Sequence, residues 1–442
     1  MPAQALPTAS ALDTARLLLG VLLPTVAEGP VIKRPRAVGL AARLELDSKA
    51  VAIVRKVHGK YPDGPLMLKL PIRKQAVVLA PEDVETVLAQ SPDPFSPASS
   101  EKKAALSHFQ PSNVLISQGP VRTVRRVLHE QVLDTDHPVH RLADAFVPVV
   151  EDEIQELLVD AVRAGSLPWD DFADAWHRVM RRVVFGDHAA DDTGLTMMLD
   201  RLRKDGNWAF LKPVRKRTRA RLNERIRDEL ARAEPGSLAA ALAAAPKGDG
   251  AEPADQVPQW LFALDNTGMA AFRALAVLVT HPEAMAAARR EIDGDTSGRR
   301  HLPYLRACVL EVLRLWPTTP MILRQTTQPV QWARGLMPAG CGVLIYTPYF
   351  HRDDRHLRSA HNFSPERWLT DEDDGWPLVP FSDGPVVCPG KQLVLLLTST
   401  ALASLVSGHD FEVQEGPRLD PARPLPGTMD NYSVTLGVSL RA

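Results

Sequence analysis

Cysteine is the scarcest reactive residue of this chain. Cys308, Cys341 and Cys388 are the only three, and no two of them form a CxxC pair. A zinc knuckle or a thioredoxin-like site needs such a pair, so both are excluded. An odd, sparse count also argues against a disulfide scaffold and suits a reducing cytoplasm. Net charge is equally scarce, −1 at pH 7 from 52 basic and 53 acidic residues. Nothing global therefore points to nucleic acid as a partner, and charge-guided docking must come from local patches. Long apolar runs are lacking as well. The stretch "ARLLLGVLLPTVA" (15–27) has an apolar run of about ten residues that holds Gly20 and Pro24, too short to span a bilayer. Arg16 is the only basic residue ahead of it, and no small-residue cleavage site follows. We expect neither a secretory leader nor a transmembrane segment, but a helix packed on the body or lying on a membrane surface.

What is present is ordinary for a globular protein, 45% hydrophobic and 24% charged. A chain of 442 residues is long enough to bury a core and a cofactor within it. The 38 prolines are scattered, so they punctuate elements rather than mark disorder. We divide the chain into an N-terminal extension, 1–60, packed on the body, and a single domain, 61–442. Residues 61–90 read as two short strands and a helix entered at Pro81. Residues 91–120 read as a long loop, 121–235 as mostly helical, and 246–258 as a linker. A long helix is expected from Gln259 to about His281, stopped by Pro282, and another from Tyr304 to Leu315. Short strands and turns fill 318–380, a helix starts near Cys388, and short strands close the chain. The expected fold class is mainly α with small β-sheets.

Three constellations carry chemistry. "FSDGPVVCPGKQ" (381–392) places Cys388 before Pro-Gly at an expected helix start. With Pro389 at the first helical position, Cys388 becomes the cap, and the N–H groups of Gly390 and Lys391 point back to its sulfur. Such donors favour a thiolate, which serves as nucleophile, as metal ligand, or not at all. "EVLR" sets Glu311 and Arg314 three apart on one helix face, and "FSPERW" brings Arg367 after a Pro-led turn.

Together these resemble the cytochrome P-450 (haem-thiolate monooxygenase) superfamily, soluble bacterial type. Its haem loop, Phe-x-x-Gly-x-x-x-Cys-x-Gly, matches Phe381, Gly384, Cys388 and Gly390; its Glu-x-x-Arg matches Glu311 and Arg314; its Pro-x-Arg matches Pro365 and Arg367. The resemblance implies a helical haem-binding body with peripheral β regions, haem b (iron protoporphyrin IX) ligated by Cys388, and a structural Glu311–Arg314–Arg367 cluster. Counting back from His281-Pro282 places the family's oxygen-helix motif on "FALDNT", Phe262–Thr267. Asp265 and Thr267 match, Ala263 replaces the usual Gly, and Asn266 replaces the usual Thr. Asn is not an acid, so proton delivery is expected through water with Asp265 upstream, unless Asp265 is a structural acid paired with an Arg.

For the haem propionates the resemblance implies Arg125 and Arg324. The usual partners are lost at Val121 and Val386, which calls for one more, unidentified residue. Arg122, Arg126, His129 and Lys391 read either as a docking patch for an acidic electron donor or as a solvated face. "KPVRKRTRARLNERIR" (212–227) reads as an exposed basic helix. The resemblance thus implies a cytoplasmic, monomeric enzyme. It inserts one oxygen atom of O2 into a small to medium apolar substrate, with Phe262, Ala263, Leu264 and Met269 as lining. Its electrons come from a separate ferredoxin or flavodoxin with its reductase. Two alternatives stand beside it: a peroxide-dependent or non-oxygenating haem-thiolate enzyme, because of Asn266, and a helical binding protein without haem.

Overall fold

Capping residues and prolines set where the elements begin in the computed structural model, which describes residues 5–370 and 376–441. The N-terminal extension is a near-continuous helical rod. It comprises α1 (Ala11–Leu17), a π-helical turn (Leu18–Leu22) and α2 (Leu23–Glu28), followed by α3 (Pro35–Arg43) and α4 (Leu46–Lys60). The Ser10 hydroxyl caps the rod at the Asp13 amide. Next come β1 (Leu66–Met67), β2 (Gln75–Val78) and α5 (Pro81–Ala89). In α5, Pro81 and the acids Glu82 and Asp83 occupy the first turn, where a missing N–H costs nothing and negative charge suits the dipole. The expected loop 91–120 holds more structure than its Pro-Ser content suggests: β3 (Phe95–Ser96) and α6 (Ser100–Leu106), capped by Ser99.

The helical body follows with α7 (Gly119–Leu133), α8 (Ala143–Ala164), β4 (Ser166–Pro168), α9 (Trp169–Phe185), α10 (Thr193–Gly206), α11 (Lys216–Arg232) and α12 (Leu238–Ala244). Then come α13 (Pro253–Thr280), α14 (Pro282–Asp293) and α15 (Pro303–Leu315). β5 (Met321–Thr326), β6 (Val330–Trp332), β7 (Gly335–Met337), β8 (Gly342–Tyr346) and α16 (Thr347–His351) lead to α17 (Lys391–Ser407), β9 (His409–Glu415) and β10 (Thr435–Leu440). The strands form three small sheets in the orders β1-β2-β8-β5-β3, β4-β10-β9 and β6-β7. The chain is thus mainly α with small sheets.

α13 crosses the core, packed by α9, α15 and α17. Among the described residues it alone is long and apolar enough for a bilayer span, and 72% of that apolar window is buried inside the protein. It starts six residues ahead of the expected Gln259, inside the presumed linker. Tertiary bonds explain this: Gln256 Nε2 donates to the carbonyls of Ala251, Glu252 and Ser112, and the Ser112 amide donates to Asp255. Those bonds offset the missing donor of Pro258 inside the helix.

Candidate functional site

The cysteine loop is shaped by local backbone constraints. Gly384 has φ +64, and a Cβ there would meet Leu88 O at 2.4 Å, so only glycine suits both the turn and the contact with α5. The Asp383 side chain accepts from the Gly384 amide at 2.7 Å. The Cys388 amide closes back on Phe381 O at 3.0 Å, and Val387 N on Gly384 O at 2.9 Å. α7 clamps the loop from one side: Arg126 Nη1 donates to Val387 O at 2.8 Å, and beyond its end Thr135 Oγ1 donates to Pro389 O at 2.8 Å.

Helix α17 starts at Lys391 with Gly390 as its cap, which corrects the expectation that Cys388 caps it with Pro389 at the first position. Lys391 N–H bonds the Cys388 carbonyl at 3.3 Å rather than the sulfur. The physical reason is the Cys388–Phe381 closure, which spends Cys388 on the loop and leaves Pro389 and Gly390 to make the turn. Burial pushes the Cys388 thiol above its ordinary value, opposed by Gly390 N–H and by the charges of Arg126 and Lys391. Ionisation at this sulfur therefore needs a further positive partner.

Beside the loop lies an unusual concentration of positive charge. Arg324 on β5 is buried, and its donors end on neutral oxygens: Ser91 Oγ at 2.9 Å, Leu323 O at 3.1 Å and Ser382 Oγ at 3.2 Å. Arg122 on α7 is buried with its Nε unpartnered among the described residues. Lys102 on α6 is half-buried. Three hydrogen bonds hold these elements together: Ser100 N to Gln325 Oε1, Gln118 Nε2 to Ser96 Oγ, and Lys103 Nζ to Gln118 Oε1. Burial and the repulsion of Arg324 and Arg122 push the Lys102 ammonium down to about 7. Burial and Arg122 push Arg324 down to about 10. Arg125 is engaged elsewhere, donating from Nε to Gly250 O at 2.8 Å and from Nη1 to Ser117 Oγ at 2.6 Å. The charge that acts on Arg324 is that of Arg122, one helical turn earlier. Sequence reasoning missed Lys102, because one of two adjacent lysines on a short helix has no pattern to betray it.

Glu311, Arg314 and Arg367 come together in a compensated cluster. Arg314 holds Glu311 bidentately, Nε to Oε2 at 2.8 Å and Nη2 to Oε1 at 2.7 Å, with both side chains fully buried. The remaining Arg314 donors take the carbonyls of His351, Ala360, Ser359 and Asn362. Glu311 also accepts from Ser364 N and Trp368 Nε1, and Arg367 Nε lies 3.5 Å from its Oε2.

On α13 two faces differ. Leu264, Thr267 and Gly268 face α9: Trp176 Nε1 donates to Leu264 O at 2.7 Å, and Thr267 Oγ1 to the same oxygen at 2.6 Å. A Cβ on Gly268 would stand 2.5 Å from Trp176 Cδ1, so glycine admits the indole. Ala263 and Asn266 lie three apart on a less buried face, and the Asn266 side chain makes no hydrogen bond among the described residues. Asp265 is paired with Arg203 Nη2 at 2.8 Å and His177 Nε2 at 3.2 Å. Burial would raise its carboxyl, but His177 and Arg203 outweigh it and hold it at about 2. His177 and Arg203 were invisible beforehand, since they reach Asp265 from α9 and α10.

One further expectation, the solvated basic face of α7, is corrected below. Leu264 and Met269 are buried in the core, and Tyr432 donates to the Met269 sulfur at 3.6 Å. The basic face on α7 is not solvated. Arg122 is 7% and His129 1% exposed. His129 accepts from Trp260 Nε1 at Nδ1 and donates from Nε2 to Gln256 Oε1, and burial holds it down at about 4, so it is neutral.

The donor set discriminates among metals. No group of three His, Cys, Asp or Glu that could hold an ion exists among the described residues. A metal bound at Cys388 therefore has to bring its other ligands, and the three neighbouring cations suit an anionic carrier. Haem, an iron macrocycle with two carboxylates, fits both requirements.

Comparison with known proteins agrees. The family model "Cytochrome P450" matches residues 214–431. Beta-amyrin 24-hydroxylase of Glycine max is 34% identical over 160 residues, 32% of this chain and 31% of that protein. Ferruginol synthase 1 of Rosmarinus officinalis is 32% identical over 177 residues, 37% of this chain and 35% of that protein. Sugiol synthase of Salvia miltiorrhiza is 33% identical over 180 residues, again 37% and 35%. The chain thus spans about a third of the length of these curated relatives. The solved structure of retinoic acid-bound cyanobacterial CYP120A1 superposes with a TM-score of 0.71 at 18% identity, covering 87% of this chain and 94% of that one. With this fold, this cysteine loop and the Glu311–Arg314–Arg367 cluster, the chain belongs to the cytochrome P450 superfamily.

Proposed function

We propose that the chain is a cytoplasmic, monomeric haem-thiolate monooxygenase that hydroxylates a small to medium apolar molecule. Residues 61–442 form its catalytic domain. One observation carries the reading: a half-buried cysteine in a glycine-shaped loop beside three cations lacking an anion. Haem b bound there, with Cys388 as iron ligand, supplies dioxygen activation that no side chain can. Lys102, Arg122 and Arg324 would hold its propionates, with Arg125 supporting α7 from behind. Phe381, Gly384 and Gly390 shape the loop around the sulfur.

The chain's own residues then set position and proton supply. Asp265 remains an anion, fixed by Arg203 and His177. The Thr267 hydroxyl proton is committed to Leu264 O. Asn266, with both donor and acceptor free, holds a water that relays protons from the Asp265 side. Electrons come from a separate ferredoxin or flavodoxin with its reductase. The name of the Glycine max relative supports hydroxylation. The test is the spectrum of the reduced protein under carbon monoxide. A strongly red-shifted Soret band, lost in Cys388→Ala, is expected; a colourless purified protein overturns the reading.

A second reading is a peroxide-driven or non-oxygenating enzyme. One observation favours it: α13 offers no free hydroxyl at 266–267. Turnover with peroxide, and none with dioxygen and a competent electron donor, would select it.

A further inference from the structure

The end of α11 is tied to the connection between α9 and α10 through one histidine. His188 stands in the short 3-10 turn Asp187–Ala189 that follows α9. Its ring lies between two carboxylates. Nε2 donates to Glu229 Oε2 on α11 at 2.5 Å, and Nδ1 donates to Glu234 Oε2 in the turn before α12. Both ring nitrogens donate at once only when the ring is an imidazolium. Burial lowers the basicity of the ring, but Glu234 and Glu229 outweigh it and raise His188 above its ordinary value.

The chain is shaped to receive this contact. Gly186 has φ +109, and a Cβ there would meet Glu234 Cδ at 2.3 Å, so glycine makes room for the carboxylate. Glu234 also accepts from Asp187 N at 2.6 Å and from His188 N at 3.4 Å. Burial would raise its carboxyl, but His188 and these amides hold it below its ordinary value. Glu229 is 8% exposed, and besides His188 it has Arg232 beside it at 3.6 Å.

The turn that Glu234 anchors is a weak link. Ala233 has φ +46 and Gly236 has φ +84. An alanine in the left-handed region persists only where its surroundings impose it. Ser237 Oγ donates to Glu234 O at 2.6 Å and caps α12, so α12 starts from the same turn. The other charges around the joint are paired with arginine. Asp187 is held by Arg182 on α9, which also holds Glu153 and Asp152 on α8. Asp191 is held by Arg178 on α9, and Asp192 by Arg225 on α11. These arginine–carboxylate pairs keep their charge across neutrality, whereas an imidazole does not.

We propose that His188 is a pH-operated latch on the corner between α11 and α12. As an imidazolium it pins the end of α11 and the following turn to the 3-10 turn after α9. Once neutral it has one donor for two carboxylates, so one of them faces a lone pair and the corner loosens. The sign follows from the raised value: the latch is fully closed below the ordinary 6.5 and opens as pH rises through the higher folded value. Neither this reading nor its test depends on the haem reaction.

The test is hydrogen exchange of the haem-loaded full chain in a pH series from about 6 to about 9, corrected for intrinsic exchange, with α15 as the internal reference for any change in the whole protein. Protection of residues 226–240 relative to α15 is expected to fall about tenfold across the series. His188→Gln keeps a donor without the charge, and is expected to give low protection that does not vary with pH. Glu229→Gln removes one of the two carboxylates, and is expected to move the midpoint of the fall to lower pH. The proposal is overturned by unchanged protection of 226–240 across the series, by a His188→Gln chain that still loses protection as pH rises, or by an unmoved midpoint in Glu229→Gln.

Discussion

Two groups of buried charge flank the cysteine loop, and they are built on opposite plans. Around Glu311 every charge has its answer: a bidentate Arg314, a nearby Arg367, an indole, an amide and four carbonyls. Around Arg324 the answers are two hydroxyls and a carbonyl, with Arg122 and Lys102 adding charge of the same sign. Burying an ion is tolerated when partners return its lost solvation. The first group meets that condition within the chain, so it is structural. The second meets it only with an anionic ligand, so it marks where one belongs.

The largest expected effect tests the compensated group. Glu311→Ala leaves Arg314 buried without its carboxylate and is expected to destabilise the protein by about 3–5 kcal/mol, measured by urea unfolding. A Glu311→Ala protein that folds normally with full haem would break the comparison.

Next comes Asp265, a compensated charge on the oxygen-side helix. Its folded pKa is depressed to about 2 from 3.8, so its contribution is fully present above 3.8 and is lost as pH falls through 2. Asp265→Asn is expected to cost on the order of 2 kcal/mol at neutral pH, with the gap closing towards pH 2. A constant gap across that range would assign the loss to packing.

The uncompensated group gives the opposite sign. Lys102 is held at about 7 against an ordinary 10.5, so between those values the unfolded chain binds the extra proton. Stability of the haem-free protein therefore rises as pH climbs from about 7 towards 10.5, and a bound anion flattens the rise. Lys102→Met is expected to abolish that rise and to speed haem loss to a scavenger by about tenfold, equivalent to about 1.4 kcal/mol. A flat pH profile in the unmodified haem-free protein would place Lys102 outside the group.

The smallest effect is expected from Asn266→Thr, which restores a hydroxyl without altering buried charge. The ratio of product to released peroxide is expected to shift about severalfold, with unchanged stability. An unchanged ratio would show that protons bypass position 266.

Legibility in the sequence followed the range of the interactions. The helix starts at Pro81 and Pro303, the short strands near both ends and the stop of α13 at Pro282 depend on neighbouring residues, and all can be read from order alone. The start of α13 was misread because Gln256 and Asp255 are held by Ser112, over a hundred residues earlier. His129 looked like a surface cation because only Trp260 and Gln256, packed against it from α13, make it neutral.

By itself, then, the sequence determined the cysteine loop and the Glu311–Arg314 pair. Glycine φ angles and an i,i+3 spacing are properties of adjacent residues, and they hold wherever the segment sits. Only the tertiary structure decided which cations face the loop. Lys102, Arg122 and Arg324 come from a short helix, a long helix and a strand, and their shared property, charge without a counter-charge, exists only once folding gathers them and withdraws them, fully or in part, from water.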